Sequence, residues 1–244
     1  LADLQFGKIS GEHVVEVRCV GRRSSHGVHS TKRLINAGVH RCPFSGSFQE
    51  AGIFEGEARA LCMRLGLVVN PDAGLGGKLG FKGSDGRAEE ARAAGAQDRA
   101  GPRMNQCLTH LLNLTASSLN RTNVQLQLVV WGGRMGGTWV PELDESSPVS
   151  IEVVGATPDS TTPQDTAQLV ADLLESGVEA ILYAGGDGTT RDIVNALEAA
   201  GPEAQKTAVI GVPGGVKMHS GCFATTPKAA AEVVLSFAIG DLRT

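Results

Sequence analysis

From residue 63 onward, short apolar runs alternate with longer amphipathic stretches. The apolar runs predict strands at residues 65–69, 125–131, 149–154, 179–184 and 208–212. Continuous hydrophobicity of this kind is typical of strands that are buried on both faces. Between the strands, apolar residues recur at helical spacing and predict helices at 87–94, 104–119, 163–176, 190–200 and from 227 toward 237. We therefore predict an α/β fold, a Rossmann-like parallel sheet with helices on both faces.

Residues 1–62 have a different character, without a sustained hydrophobic period. They contain four of the six histidines and three of the five cysteines. A metal site of His26, His29, His40 and Cys42 is one interpretation, but their spacing fits no zinc pattern. We expect residues 1–62 to be a poorly defined leader, disordered or non-native, and residues 63–244 to be a phosphate-binding domain.

Composition and charge exclude several classes of function. The net charge of -4 provides neither a nucleic-acid footprint nor a polybasic membrane patch. No apolar run reaches the roughly 20 residues of a membrane span, and the N-terminus lacks a signal-peptide pattern. The five cysteines are irregularly spaced, which favours reduced thiols. We expect a cytoplasmic protein without nucleic-acid or membrane partners; the oligomeric state, including a homo-oligomer, stays open.

The clearest chemical motif follows the strand at 179–184. Gly185, Gly186, Asp187, Gly188 and Thr189 separate that strand from a helix predicted to begin at residue 190. Glycines in such a turn permit positive φ and let backbone N–H groups approach an anion, and the helix dipole points at the same place. A carboxylate beside phosphate is unfavourable unless it works through Mg²⁺ or accepts a proton from an attacking hydroxyl. We predict that Asp187 is catalytic.

Two further glycine-rich loops follow predicted strands. The loop after residue 69 offers phosphate-binding candidates but matches neither a Walker A loop nor a dinucleotide fingerprint; they are Asn70, Gly74, Gly76, Gly77 and Lys78. The loop after residue 212 offers Gly214, Gly215 and Lys217, with His219 and Ser220 as further polar groups. Because parallel strands place their carboxyl ends at one edge, we expect all three loops to cluster there. No nucleophile elbow accompanies the Ser, His and Asp residues, so we reject a hydrolase triad.

Together these segments resemble the ATP-NAD kinase superfamily, closest to its branch of polyphosphate/ATP-dependent NAD kinase-like proteins and the acetoin-catabolism protein X group. The matching text is LVVNP at residues 67–71, AGLGG at 73–77, KGSDG at 82–86, AGGDGTTRD at 184–192 and VPGGVKMHSG at 212–221. The resemblance covers about residues 63–240, and its last two motifs are quite specific.

The resemblance implies that phosphate passes from ATP, or polyphosphate, to the adenosine ribose 2′-hydroxyl of NAD to give NADP. Asp187 would then act at the phosphate and hydroxyl, the adjacent glycines and Thr189 would form the cradle, and Mg²⁺ would neutralise the phosphates. Members of the family place a β-rich domain after the α/β domain. We expect that C-terminal domain to be missing and the chain to be truncated, so that its activity on its own is an open question.

Three alternatives stay open beside the NAD kinase interpretation. A lipid kinase can share the Gly-Gly-Asp-Gly loop, although the acidic balance and the lack of an apolar docking stretch argue mildly against it. A non-catalytic nucleotide-binding protein of the acetoin-catabolism X type would bind NAD or ATP without turnover. A plain dehydrogenase is weakened by the missing dinucleotide fingerprint.

Overall fold

The protein folds around a five-stranded parallel sheet with the strand order β3-β2-β1-β4-β5. The computed structural model describes residues 61–75, 88–122, 124–214 and 218–242. Its strands are β1 (Leu61–Val69), β2 (Val124–Gly132), β3 (Val149–Ala156), β4 (Ala180–Gly185) and β5 (Ala208–Pro213). The central strand β1 pairs with β2 on one side and β4 on the other, so that Leu65 lies beside both Leu128 and Ala180.

Helices cover both faces of the sheet. They are α1 (Ala88–Ala93), α2 (Ala100–Thr122), α3 (Pro163–Glu175), α4 (Asp187–Ala200) and α5 (Pro227–Ala238). On one face α2 and α5 pack on Leu65, Leu67, Leu126 and Leu182; on the other, α3 and α4 pack on Val68, Val129, Ile181 and Tyr183. The predicted α/β fold, with a parallel sheet and helices on both faces, is confirmed. No described helix is both long and apolar enough to cross a membrane.

The core is mostly apolar, and among the cysteines of the described ranges one is fully buried in it. Cys107 of α2 has no exposed surface, and burial raises the pKa of this thiol to about 12. The thiolate is disfavoured there because burial penalises the charged form. Cys107 is therefore a neutral packing residue on the α2 face that the sequence pattern predicted.

Helix capping fixes where α3 and α5 begin. The backbone N–H of Thr162 donates to the Asp165 carboxylate over 2.8 Å, which forms a capping box. Thr226 Oγ1 accepts a hydrogen bond from the backbone N–H of Ala229 over 3.0 Å. Both caps precede a proline in the first turn, as the sequence predicted. The α5 cap determines where the loop after β5 ends, and that loop carries part of the candidate site.

Two predicted helix starts were wrong. Helix α2 begins at Ala100 rather than at 104, because Pro102 falls in the first turn, where no intrahelical N–H bond is needed. Helix α4 begins at Asp187 rather than at 190, so Asp187, Gly188 and Thr189 form its first turn instead of a separate glycine turn. Both corrections move a helix N-terminus closer to the carboxyl edge of the sheet.

The strand order creates a crevice at that edge. The chain runs from β1 outward to β2 and β3 on one side, and then returns to β4 and β5 on the other. Loops that leave β1 and β4 therefore diverge to opposite sides, and ligands of open α/β sheets bind in the space that this divergence leaves. The loops at this point begin at Asn70 and Gly186.

Candidate functional site

Three loops meet at the carboxyl edge of the sheet, as the sequence predicted. Asn70 Nδ2, after β1, donates to Thr189 Oγ1 of α4 over 2.9 Å. The backbone N–H of Gly214, after β5, donates to the carbonyl of Gly185 over 3.2 Å. Gly74 has a φ of +82°, and a Cβ added there would lie 2.8 Å from the Gly214 carbonyl oxygen. A side chain at position 74 would thus be both strained and blocked.

The first turn of α4 packs tightly on the end of β4. A Cβ added at Gly185 would lie 2.6 Å from Thr189 Cβ, a distance that real atoms do not tolerate. The glycines of this motif permit positive φ, but the structure does not use it: among the described glycines with positive φ, none belongs to the motif, and Gly186 is extended with φ −124°. Close packing, not turn geometry, is what requires glycine at position 185.

Gly188 is the exposed member of the same turn. An added Cβ would meet no atom within 4 Å, so the described structure provides no steric reason for glycine there. Gly186 is the N-cap residue of α4, and it has no side chain that could accept a hydrogen bond from the backbone N–H groups of the helix. The first N–H groups of a helix have no intrahelical acceptor. In α4 these N–H groups face the crevice, and the space beside Gly188 is open. This arrangement suits a phosphate group.

Asp187 is held by the loop that follows β5. Its carboxylate accepts hydrogen bonds from the backbone N–H of His219 at 2.9 and 3.0 Å. It also accepts from the backbone N–H of Ser220 at 3.0 Å and from Ser220 Oγ at 2.7 Å. Three of these four contacts fall on Oδ1, which leaves Oδ2 with the larger free accepting capacity.

These contacts keep Asp187 ionised. Partial burial alone would raise the pKa of Asp187, but the hydrogen bonds from Ser220 and His219 and the nearby His219 charge outweigh it and hold the pKa below its ordinary value of 3.8. Hydrogen bonds to the charged form always act in this direction. A carboxylate with a lowered pKa is a weak base but a good ligand for a cation or a hydroxyl donor.

The loop after β1 is shaped by its own polar residues. Asn70 Oδ1 accepts from the backbone N–H of Asp72 over 3.0 Å, which is an Asx turn. The Asp72 carboxylate pairs with Arg92 and accepts from Thr161 Oγ1 over 3.3 Å. The turn aims the Asn70 amide at Thr189, and the ion pair fixes the loop from its outer side.

A buried polar contact supports α4 from below. The hydroxyls of Tyr183 and Thr190 are hydrogen-bonded at 2.5 Å, and both residues are buried. The Tyr183 ring packs on Phe223, with centroids 5.4 Å apart. Phe223 belongs to the loop after β5, and the backbone of Gly211 lies against both rings. This contact ties β4, α4 and the third loop into one unit.

The segment from 132 to 139 has a structural role that its sequence did not indicate. The Met135 carbonyl accepts the backbone N–H of Val69 over 2.9 Å, at the end of β1. The Trp139 indole covers Gly101 so closely that any Cβ there would overlap the ring. Trp139 Nε1 donates to the Arg134 carbonyl over 2.7 Å. The segment therefore positions the N-terminus of α2 at the crevice.

Helix α2 is the element of the site that sequence reasoning missed. Arg103 Nη1 donates to the Pro213 carbonyl over 3.0 Å, and a Cβ at Gly214 would lie 3.0 Å from Ala100 Cα. Its first turn thus touches the third loop directly. One feature of the sequence did indicate this helix start: Pro102, because proline is common in the first turn of a helix.

All the predicted site residues that lie in the described ranges are brought together. The structure gathers them at one edge: Asn70, Gly74, Gly185, Gly186, Asp187, Gly188, Thr189 and Gly214. The remaining predicted residues lie outside the described residues: Gly76, Gly77, Lys78, Gly215 and Lys217.

The donor set fits a phosphate-bound Mg²⁺ better than a protein-enclosed metal. Within the described ranges, no group of three His, Cys, Asp or Glu side chains could hold a metal ion. Mg²⁺ usually needs only one or two carboxylates, with phosphates and water supplying the other ligands. Asp187 is an ionised carboxylate at a helix N-terminus, so it is the residue that would hold such an ion.

Comparison with known proteins finds similarity to two kinds of kinase. The chain is 34% identical over 107 residues to an ATP-dependent 6-phosphofructokinase of Trypanosoma cruzi (strain CL Brener). The match covers 42% of this chain but only 22% of that enzyme, so the chain spans about a fifth of the relative's length. The ATP-NAD kinase N-terminal domain matches residues 65–241, which include every loop of the candidate site. The chain therefore belongs to the ATP-NAD kinase family.

Proposed function

We propose that this protein is a kinase that transfers the terminal phosphate of ATP, or of polyphosphate, to the 2′-hydroxyl of NAD and so forms NADP. Membership of the ATP-NAD kinase family supports phosphotransfer, and NAD as acceptor is our extension of it. The observation that carries the proposal is Asp187: an ionised carboxylate in the first turn of α4, beside exposed Gly188. A carboxylate at the phosphate-attracting end of a helix is expected where it acts on a phosphate-bound cation or hydroxyl.

Each element of the site has a role in this reaction. The backbone N–H groups at the start of α4 bind the phosphate chain, and Gly188 lets that chain approach. Asn70 holds Thr189, and therefore this turn, in place over a 2.9 Å hydrogen bond. Mg²⁺, when bound, neutralises phosphate charge next to Asp187. Catalysis then comes mainly from positioning and electrostatics.

Asp187 orients the attacking hydroxyl. Its less occupied Oδ2 accepts the hydrogen bond of the acceptor hydroxyl, whose oxygen attacks the terminal phosphorus as the bond to the leaving diphosphate breaks. The lowered pKa makes Asp187 a poor base for early proton removal. Since phosphoryl transfer passes through a loose transition state, the hydroxyl proton passes to Asp187 only after the new P–O bond has begun to form and made the hydroxyl more acidic.

The test measures NADP with an NADP-specific dehydrogenase after incubation with NAD, Mg²⁺ and either ATP or polyphosphate. We compare the wild-type protein with Asp187→Asn and with Asp241→Asn. Asp241 is exposed beyond α5, at the opposite edge of the sheet, so it controls for the change of charge. NADP formation lost in Asp187→Asn alone supports the proposal. Equal rates in all three proteins would contradict the role of Asp187.

A sugar phosphate is a second candidate acceptor. The partial identity with an ATP-dependent 6-phosphofructokinase motivates it. The same assay with ATP and fructose 6-phosphate, followed by detection of ADP, separates the two acceptors. A sphingoid base in the panel tests the lipid kinase alternative. Binding of NAD or ATP without any turnover would favour the non-catalytic nucleotide-binding protein.

A further inference from the structure

Arg99 lies between two loops of the candidate site. A Cβ added at Gly74 would lie 3.2 Å from Arg99 Cδ and 3.5 Å from Arg99 Cβ, so the stem of this side chain runs along the loop after β1. The next residue, Ala100, is buried against Gly214 of the loop after β5. Arg99 itself is half-buried. Its guanidinium therefore leaves the stem at the junction of the two loops.

The guanidinium of Arg99 has no protein partner within the part of the chain that is described. Five other arginine side chains of that part are engaged: Arg64 with Glu152, Arg92 with Asp72, Arg103 with the Pro213 carbonyl, Arg134 with Asp98 and Arg191 with Asp192. Asp98 is next to Arg99 in sequence, but its carboxylate pairs with Arg134 at 2.9 Å and with Arg92 at 3.7 Å. A cation partly removed from water is stabilised by an anionic partner, and the described residues supply none to Arg99, so a bound anion would fit this position.

The position of Arg99 on its helix makes the unpaired charge more unfavourable still. Arg99 immediately precedes α2, a helix of 23 residues with no acidic side chain in its first turn. The N-terminus of a helix carries partial positive charge and disfavours a cation. Arg103 adds another positive charge one turn later. An anion bound here would interact favourably with the helix end and with both arginines.

We propose that Arg99 binds the terminal phosphate of the phosphate donor. The inference rests on the proposed phosphotransfer and adds a cation from α2 to the site. NAD carries a diphosphate too, but it presents a neutral hydroxyl to the reacting centre, whereas the donor brings its charged terminal phosphate there. The phosphate chain of the donor therefore suits the helix N-termini of α4 and α2, since both open at the same edge. A guanidinium binds two phosphate oxygens at once, which an ammonium group cannot do.

Titration calorimetry with tripolyphosphate and with MgATP, in the absence of any acceptor, tests the proposal. We expect Arg99→Ala to weaken both affinities by about 10- to 100-fold, the usual effect of losing a charge-assisted hydrogen-bonded pair. Arg99→Lys should fall between the two proteins because it keeps the charge but loses the bidentate geometry. Lys206→Gln is the matched control: it removes a cation that pairs with Glu203 just before β5, at the opposite edge. It should bind like the wild type.

Folding and catalysis are monitored separately. Since Arg99 loses no partner among the described residues, the melting temperature of ligand-free Arg99→Ala should match that of the wild type or exceed it. Unchanged binding of tripolyphosphate by Arg99→Ala would overturn the inference, and so would a wild-type protein that binds neither probe. A loss of NAD affinity with donor affinity intact would also overturn it. If no NADP forms but Arg99→Ala still loses tripolyphosphate, the proposed function fails while the role of Arg99 stands.

Discussion

Ser220 donates two hydrogen bonds to Asp187, one from its backbone N–H at 3.0 Å and one from its hydroxyl at 2.7 Å. Ser220 belongs to the loop after β5 and Asp187 to the first turn of α4, 33 residues earlier, so this pair joins that loop to the helix. It also determines which carboxylate oxygen of Asp187 stays available to a ligand. The proposed catalytic residue is thus oriented by a hydroxyl that does not itself need to touch the substrate.

Ser220→Ala should raise the pKa of Asp187 toward its ordinary value and loosen the third loop. The hydroxyl is the largest of the influences that lower this pKa. We expect a loss of about 1 kcal/mol in stability from the missing hydrogen bond. If the carboxylate orientation matters for phosphotransfer, kcat should fall while the affinity for tripolyphosphate changes little. Ser176→Ala, which removes a hydroxyl bond to the Asp172 carbonyl at the end of α3, is the control for stability alone. A kcat as high as that of the wild type would show that Ser220 does not orient Asp187.

The lowered pKa of Asp187 predicts a specific dependence of stability on pH. A carboxyl group whose pKa is lower in the folded state stabilises the fold above its unfolded pKa, and this contribution disappears as pH falls through the folded value. The stability that Asp187 contributes through this shift, seen as the difference between wild type and Asp187→Asn, should be present above the ordinary pKa of 3.8 and be lost as pH falls below it; solvent screening of this partly exposed carboxylate keeps it small. Urea unfolding of both proteins at several pH values measures it. A difference that grows on acidification would contradict the direction of this pKa shift.

The fold and the loops of the candidate site could be predicted from the sequence, but the contacts between those loops could not. Buried strands and capped helices are local patterns, and the strand after residue 179 and the Thr162 cap were found from them. The contact between Asp187 and Ser220 is not local, and neither residue type predicts the other. The first turn of α2 was missed because Gly101 and Pro102 resemble a helix breaker, whereas the Trp139 ring packs on Gly101. Nothing in the sequence indicated a role for Arg99, because its position between two loops of the site is visible only in the structure.

Asn70 and Thr189 should be energetically coupled. Thr189 is 2% exposed, and its hydroxyl accepts the Asn70 amide over 2.9 Å. Asn70→Ala leaves this buried hydroxyl without that donor, and Thr189→Val leaves the amide without its acceptor. A double-mutant cycle on the free energy of unfolding should show a coupling of about 1 kcal/mol. Additive effects of the two substitutions would mean that the hydrogen bond does not hold the two loops together.

Gly185→Ala and Gly188→Ala should have opposite effects on the free energy of unfolding, although both replace a glycine of the same motif. An alanine Cβ at position 185 would lie 2.6 Å from Thr189 Cβ, and we expect a loss of about 1–3 kcal/mol, as is usual for overpacking. At position 188 the Cβ meets open space within a helix, so alanine should be neutral or stabilise the fold by about 0.5 kcal/mol.

Gly188→Ala should weaken the binding of MgATP, although it does not destabilise the fold. If the phosphate chain approaches the first turn of α4, the added methyl group at 188 occupies the approach, and MgATP affinity should fall although the fold is intact. Urea unfolding and calorimetric titration of Gly188→Ala measure both quantities on one sample. A stable Gly188→Ala protein that binds MgATP as the wild type does would place the phosphate chain elsewhere on the carboxyl edge. That result would leave Arg99 and the start of α2 as the remaining anchor for the donor.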